Sequence, residues 1–192
     1  MTKINNHTVL EKLRLETAAL HQRLEDDNPA QAILNHSMDL DGYKTLLLQN
    51  YLAYRCMEGQ IKRHLPQLSM DKTERLEADL RDLGIAPDAY LSSDTPDFEI
   101  QSVAQAYGAA YVVEGSAMGG MVIAKHLRKC EALQDLKKQH FFSGDKSSLT
   151  SWKHFKEELQ RQEFDPRQKE ELLAAAKEAF LVFEKFFQVS YT

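Results

Sequence analysis

Apolar residues recur at spacings of three and four positions along most of the chain, and this is the period of an amphipathic α-helix. No segment shows the alternation of apolar and polar residues that a half-buried β-strand requires. The pattern therefore predicts an all-α fold, a multi-helix bundle of roughly seven helices. The expected helices cover residues 8–26, 29–34, 40–63, 71–84, 102–129, 149–160 and 165–189, with loops over 85–98 and 141–148.

Three helix starts carry capping signals. Thr8 with Glu11, and Asp71 with Glu74, match the capping box, in which the first side chain bonds the backbone three residues on and the acidic side chain reaches back. Asp165-Pro166 places an N-cap residue before a proline in the first helical turn, where a backbone N–H is not needed. These signals predict where the first, fourth and last helices begin.

The most unusual segment is the middle of the helix predicted over 102–129, because it contains Gly115, Gly119 and Gly120. A glycine inside a helix costs about 0.5–1 kcal/mol relative to alanine, so three glycines so close together need a reason. Gly115 and Gly119 lie four residues apart and therefore share one helix face. That bare face would lie either against a bound ligand or against another helix, and the segment alone favours neither.

The composition is that of an ordinary globular protein, with 43% hydrophobic and 28% charged residues. A chain of 192 residues suits a single domain, expected to span residues 1–192. The net charge of −5 argues against a nucleic-acid partner, since phosphate binding needs clustered positive charge. No apolar run is long enough to cross a membrane and no apolar signal core follows Met1, so we expect a cytoplasmic protein. Cys56 and Cys130 lie far apart and are expected to remain buried thiols there.

Candidate chemistry outside the glycine segment is sparse. His21 lies on the apolar stripe of the first helix, where a histidine is usually a core residue, although neutral imidazole is also a common ligand for metals. Arg14 lies two helical turns earlier on the same face and is either a solvated charge or a cation for an acidic ligand group. Lys153, Lys156 and Arg161 form a second basic group. The sequence contains no paired-histidine spacing, phosphate loop, Ser-His-Asp set or nucleophilic-cysteine signature.

Two separated motifs resemble those of one family, the haem (heme) oxygenases. The segment from Leu13 to Glu25, LRLETAALHQRLE, is similar to the family's N-terminal pattern L-(K/R)-x-x-T-x-x-x-H-x-x-x-E. The segment from Tyr111 to Ile123, YVVEGSAMGGMVI, resembles the family's distal helix, with glycines in the spacing G-x-x-x-G-G. This form looks most like the bacterial branch, which includes enzymes that supply biliverdin to bacterial phytochromes. The segment from Ala176 to Phe183 resembles the family's last core helix, so the resemblance spans nearly the whole chain.

The resemblance implies roles for particular residues. His21 matches the proximal ligand of the haem iron, and the segment that contains Gly115, Ser116, Gly119 and Gly120 matches the distal helix over the other haem face. The residues that it implies as contacts of the macrocycle or its propionates are Arg14, Tyr111, Lys156 and Phe180, with Arg161 as a further candidate for a propionate.

In this family haem is both substrate and cofactor. The resemblance implies oxidative cleavage of haem to biliverdin with release of carbon monoxide and ferrous iron, using dioxygen and an electron donor such as a ferredoxin or flavodoxin. A bacterial phytochrome is a candidate acceptor of the biliverdin. Two alternatives stay open: a haem-binding or haem-transfer protein on the same fold, and a different activity that would need a nucleophilic cysteine or clustered Glu and His ligands.

One position departs from the family's pattern. Many members carry Asp directly after the first distal glycine, where it orders a water network that delivers protons, and this chain has Ser116 there. Serine can hold a water but supplies no carboxylate. Either Ser116 and ordered waters suffice or another residue substitutes, and the candidates on the same helix are Tyr107 and Tyr111.

Overall fold

The computed structural model describes residues 7–91, 98–136 and 139–190, and within these ranges it contains helices and no strands. Short 3-10 turns occur at Pro87–Tyr90 and Glu131–Leu133. The α-helices of the described ranges are α1 (Val9–Asp26), α2 (Gln31–Leu34), α3 (Leu40–His64), α4 (Lys72–Asp82), α5 (Val103–Gly115), α6 (Ala117–Leu127), α7 (Ser147–Arg161) and α8 (Pro166–Phe187). The all-α prediction is confirmed.

Helix α5 lies at the centre of the bundle, where it packs most extensively against α8 and also against α3 and α7. The closest approach to α8 is at Gly108, where a Cβ atom would lie 2.0 Å from the carbonyl oxygen of Leu172. A side chain cannot fit at that distance from a backbone atom, so Gly108 sets the separation of the two helices. The contact between α5 and α8 therefore depends on a glycine. This glycine, Gly108, lies outside the glycine segment of residues 115–120.

Helix α1 is held on α8 by two exposed ion pairs. The Arg23 guanidinium donates to both carboxylate oxygens of Glu184, at 2.6 and 2.7 Å, and the Lys177 ammonium donates to Glu16 at 2.7 Å. Bidentate pairs restrict orientation as well as distance. They fix how α1 is rotated on the bundle, and thereby which way His21 faces.

All three predicted helix starts are confirmed, and two of them have the predicted cap. Thr8 and Glu11 form the reciprocal capping box at α1, and Asp165 caps α8 by accepting from the backbone N–H of Gln168. Helix α4 begins directly after Asp71, as predicted, but the predicted capping box is absent. The Asp71 side chain makes no capping hydrogen bond and instead accepts from the Arg75 guanidinium.

The N-terminus of α4 is capped by a residue from another helix. The carboxylate of Glu58 in α3 accepts hydrogen bonds from the backbone N–H groups of Lys72, at 3.1 Å, and Thr73, at 2.9 Å. Glu58 is buried, and the otherwise unpaired N–H groups in the first turn of α4 stabilise its carboxylate there. The arrangement binds α4 to α3 and fixes the position of Lys72.

The single helix predicted over 102–129 is also wrong, because the chain breaks at Ser116 into α5 and α6. The Ser116 hydroxyl donates to the backbone carbonyl of Val113 at 2.7 Å. Such hydrogen bonds to a preceding turn bend helices, and the adjacent Gly115 lowers the resistance to bending. The break redirects the chain at the point where the glycine segment begins.

Within the described residues, the structure has no helix that is both long enough and apolar enough to cross a membrane. Cys130 is a buried thiol, as the sequence predicts, whereas Cys56 is only partly buried.

Candidate functional site

A cavity of about 360 Å³ opens between α1, α6 and α8. Its walls are mainly aromatic and apolar, which suits a flat, apolar ligand. Seven of the nine residues that the sequence nominated as catalytic, ligand-binding or metal-ligating line it, namely His21, Tyr111, Gly115, Ser116, Gly119, Gly120 and Phe180. The structure therefore brings together two motifs that are far apart in sequence.

His21 forms part of the α1 wall. Its side chain is 59% exposed, so the expectation of a buried stripe is wrong at this residue: the stripe faces the cavity there rather than another helix. The ring contacts the ring of Phe180 edge to face, with centroids 5.8 Å apart. Its Nδ1 lies 3.6 Å from the Glu25 carboxylate, and Nε2 has no hydrogen-bond partner among the described residues. The imidazole is thus oriented at one nitrogen and open at the other.

The α6 wall has an almost bare backbone. A Cβ atom built on Gly119 or Gly120 would meet no atom within 4 Å. At Gly115, a Cβ would come no closer than 3.7 Å to the Trp152 ring, which is ordinary contact. The sequence left two alternatives for this segment, and both occur: Gly115 packs against a side chain of α7, whereas Gly119 and Gly120 face the open cavity.

Ser116 lies at the break between α5 and α6 and contributes its hydroxyl to the cavity wall. Because this hydroxyl donates to the Val113 carbonyl, its oxygen is left to act as an acceptor. The buried phenol of Tyr54 lies near this hydroxyl, which lowers the pKa of the phenol. Burial raises the pKa of Tyr54 well above its usual value and outweighs the opposing effect of Ser116, so Tyr54 remains a neutral hydrogen-bond donor.

Neither predicted propionate cation lines the cavity. Arg14 is exposed. Burial raises the pKa of the Tyr111 hydroxyl, and the positive charge of Arg14 opposes this rise. Lys156 lies over the face of the Trp152 ring, with Nζ 5.1 Å from the ring centroid. Tyr111 and Trp152 both line the cavity and lie 5.7 Å apart, so the two cations stand behind the same end of it. Arg161, the further candidate, is also absent from the lining.

Tyr107, one of the two tyrosines suggested as substitutes for the missing Asp, lies outside the cavity. Its hydroxyl donates to Glu158 at 2.8 Å, and its ring packs against Phe155 and Phe164. Tyr107 is therefore part of the α5–α7 packing. Only Tyr111 of the two reaches the site.

Sequence reasoning missed the contribution of α3. Asn50 and Tyr54 both line the cavity, and Glu58 follows at the same spacing of four residues. These three polar residues at i, i+4 and i+8 lie on the buried face of α3, and their spacing in the sequence indicates a buried polar stripe.

The loop predicted over 141–148 also contributes to the site through Phe141 and Phe142. The buried carboxylate of Asp79 accepts from the backbone N–H groups of His140, at 2.7 Å, and Phe141, at 2.8 Å. Burial nevertheless raises the pKa of Asp79. Asp79 is a long-range anchor for the loop, and no local pattern marks such an anchor.

Among the described residues, no group of three or more His, Cys, Asp or Glu side chains could hold a metal ion. An open imidazole, an aromatic cavity and a bare helix face together suit a flat macrocycle that carries its own metal, bound within an all-α protein.

Comparison with known proteins identifies the family. The family model described as "Heme oxygenase" matches residues 7–189, so the chain belongs to the heme oxygenase family. The "Heme oxygenase" of Xanthomonas campestris pv. campestris (strain 8004) is 27% identical over 165 residues, which cover 83% of this chain and 88% of that protein.

Solved structures agree on the fold. Heme oxygenase from Leptospira interrogans superposes with a TM-score of 0.74 at 18% identity, over 94% of this chain and 98% of that one. The NO- and CO-bound heme oxygenase from Neisseria meningitidis gives a TM-score of 0.70 at 22% identity, over 95% and 94% of the two chains. Heme oxygenase-1 from the cyanobacterium Synechocystis sp. PCC6803, solved in complex with heme, gives 0.65 at 19% identity, over 94% and 91%.

Family membership establishes the class of reaction. The protein is a haem oxygenase, with haem as substrate and cofactor and iron supplied by the haem. The different activity that would need a nucleophilic cysteine or clustered Glu and His ligands is thereby excluded. The roles of individual residues do not follow from membership and depend on the geometry of the cavity.

Proposed function

We propose that the cavity between α1 and α6 would hold haem, that the His21 imidazole would bind its iron, and that α6 would lie against the ring. The observation that carries this proposal is that His21 presents an open ring nitrogen to the same cavity into which Gly119 and Gly120 leave free space. Because two adjacent residues of α6 have no side chain, a flat ring has room to approach the helix backbone.

The orientation of haem within the cavity follows from the positions of the cations. The propionates require positive charge, and Arg14 and Lys156 both stand behind the end lined by Tyr111 and Trp152. The remaining walls are aromatic and suit the apolar part of the macrocycle, with Phe180 placed beside the His21 ring. We therefore infer that the propionates point toward the Tyr111–Trp152 end.

The side chains of this protein act by positioning the substrate and by excluding water. The Glu25 carboxylate lies 3.6 Å from Nδ1 of His21, on the side of the ring away from Nε2, which would be the nitrogen that binds the iron. The bare α6 backbone allows close approach from the other side, while the aromatic walls limit the entry of water. Bound haem supplies the redox chemistry and oxygen activation, and the reaction ends in biliverdin, carbon monoxide and ferrous iron.

We also propose an electron donor, an acceptor of the product and a cellular location for this protein. The reaction needs an external reductant, which we propose to be a ferredoxin, a flavodoxin or a similar small donor. The Tyr111–Ile123 segment supports assignment to the bacterial branch that supplies biliverdin to phytochromes, so a bacterial phytochrome is the proposed acceptor. We place the protein in the cytoplasm, where these partners occur.

Hemin titration followed by reduction tests the proposal. The purified protein should develop a Soret band with hemin, and the band should decay into biliverdin absorption when a reductant is added in air. His21→Ala should lose the axial-ligand spectrum, whereas His154→Ala, an exposed histidine on α7, should behave as the wild type does. A stable Soret band in the reduced wild type would favour the haem-binding alternative, and an unchanged His21→Ala spectrum would remove His21 from its proposed role.

A further inference from the structure

The cavity proposed to hold haem has a buried amide in its wall, that of Asn50 in the middle of α3. Asn50 is only 7% exposed. It shares the α3 and α8 walls with Leu46, Phe183 and Phe187, whose side chains offer no hydrogen bond. A buried amide is unfavourable in an apolar environment unless its donors and acceptor find partners. The presence of Asn50 in this part of the wall therefore needs an explanation.

The hydrogen bonds of Asn50 are incomplete within the protein. Its Nδ2 donates to the backbone carbonyl of Leu46 at 2.8 Å, and because a carbonyl only accepts, this bond identifies the nitrogen end of the amide. The second N–H and Oδ1 of Asn50 have no hydrogen-bond partner among the described residues. Asn28 also lines the cavity, but its Oδ1 accepts from the backbone N–H of Ala30 at 2.9 Å. Asn50 thus keeps one donor and one acceptor for a molecule in the cavity.

Asn50 lies at the end of the cavity opposite the one proposed for the propionates. The neighbouring residue Gln49 donates from Nε2 to the backbone carbonyls of Phe187, at 3.1 Å, and Val189, at 2.8 Å. These two bonds join this part of α3 to the C-terminal end of α8. Phe187 itself lines the cavity, so Asn50 and Phe187 belong to the same end of it.

Helices α1 and α8 give the length of the cavity between its two ends. The ion pairs that Glu16 and Arg23 of α1 form with α8 both join residues 161 positions apart, so the two helices run in the same direction. Tyr111, at the proposed propionate end, lies near Thr17 of α1. Phe187 lies about nine residues beyond that level along α8, or about 13 Å. A macrocycle with its propionates near Tyr111 would therefore bring its opposite edge toward Asn50.

That edge of the macrocycle changes its chemistry during the reaction. In haem, the edge opposite the propionates carries vinyl and methyl groups and a meso C–H, none of which is a strong donor or acceptor. Ring opening at this meso carbon releases it as carbon monoxide and leaves an oxygen on each of the two pyrrole carbons that it joined. Each end of biliverdin is then a lactam, with a C=O acceptor beside an N–H donor. The free groups of Asn50 therefore match the product and not the substrate.

We propose that Asn50 binds a terminal lactam of biliverdin, with its second N–H donating to the lactam oxygen and its Oδ1 accepting from the lactam N–H. The inference rests on the proposed function. The donor and acceptor of Asn50 stay unpaired against the apolar edge of haem and gain partners only after ring opening. Asn50 is therefore a product-binding residue, which favours biliverdin over haem and favours the isomer opened opposite the propionates over the other isomers.

Binding of biliverdin isomers to the wild type and to Asn50→Leu tests the inference. Quenching of the fluorescence of Trp152, the single tryptophan and a residue of the cavity wall, reports binding without turnover. The wild type should prefer the isomer opened opposite the propionates to the isomer opened between them. Asn50→Leu, of similar size, should bind the preferred isomer at least about fivefold more weakly and hemin at least as tightly as the wild type does. Asn50→Ala also removes the amide, and it gives the same comparison if leucine does not fit.

Several outcomes separate product binding from a structural role. Lys44→Met, which removes a lysine from a surface ion pair on α3, should leave the affinities for hemin and biliverdin unchanged. Wild-type affinity for biliverdin in Asn50→Leu, or equal weakening of hemin and biliverdin, would overturn the inference. A wild type that does not distinguish the isomers would also overturn it, and this measurement needs no variant. A wild type that binds no hemin would instead overturn the proposed function, and the inference with it.

Discussion

Replacing Gly119 by alanine should stabilise the empty protein and weaken its binding of hemin. Gly119 lies in the first turns of α6 with helical backbone, and a Cβ there meets no atom within 4 Å. The substitution therefore removes the entropic cost of a helical glycine, about 0.5–1 kcal/mol, without any steric cost. The new methyl group would occupy space that the proposed site reserves for the macrocycle.

The expected magnitudes follow from these two effects. For a protein of this length, each kcal/mol changes the melting temperature by about 2–4 °C, so the empty Gly119→Ala variant should melt about 1–4 °C higher than the wild type. The methyl group would keep the haem further from the α6 backbone. The hemin dissociation constant should therefore rise at least about tenfold, which corresponds to about 1.4 kcal/mol. The two measurements should thus move in opposite directions.

Gly108→Ala provides the matched control, because Gly108 is a glycine of the neighbouring helix with a different environment. Its Cβ would lie 2.0 Å from the Leu172 carbonyl oxygen, and relief would require α5 and α8 to separate. We expect a loss of about 3 kcal/mol or more and a melting temperature lower by at least about 6 °C. Thermal denaturation with and without hemin measures both variants, and a Gly119→Ala protein that binds hemin as tightly as the wild type does would refute the assignment of α6 to the haem face.

Two further predictions concern charge. Arg14→Met and Lys156→Met should each weaken hemin binding about three- to tenfold at low ionic strength, and by less in high salt. Lys153→Met is the control, because Lys153 lies on an exposed face of α7, and it should leave the affinity unchanged. Equal affinities in all three variants would exclude the proposed position of the propionates. Hydrogen bonds from Ser143 and Ser147 hold the pKa of Asp145 well below its usual range, so its ionised form stabilises the fold above about pH 4 and this contribution is lost as the pH falls further. Asp145→Asn should therefore flatten the decline in melting temperature between about pH 5 and pH 3, and an unchanged acid limb would contradict this.

The sequence predicted the helices well, because helix periodicity and capping are local properties. The starts at Thr8 and Asp165 were readable from a few neighbouring residues. The start at Asp71 was predicted from the same kind of signal but is capped by Glu58, which lies on another helix. A local motif cannot reveal that a more distant carboxylate competes for the same N–H groups. The predicted start was therefore right, and only the predicted capping residue was wrong.

The composition of the site was predictable only where a residue type was unusual for its position. Glycines inside a helix and a histidine on an apolar stripe are exceptions to general rules, and both lie at the cavity. Phe141 is ordinary for its position, and only the anchoring of its loop by Asp79 brings it to the site. Gly108 has the same residue type as the glycines of α6 but a purely structural environment, which only the distance to Leu172 reveals.

The buried pair of Lys72 and Glu114 is difficult to explain by stability alone. Two charges removed from water lose several kcal/mol each, on the order of what their mutual attraction returns, and a well-packed apolar pair is often at least as stable. The pair also leaves Oε2 of Glu114 without a protein partner, which adds to its cost. A purely structural role would therefore favour apolar residues at both positions. The pair instead fixes the start of α4 against the end of α5, close in sequence to the break at Ser116.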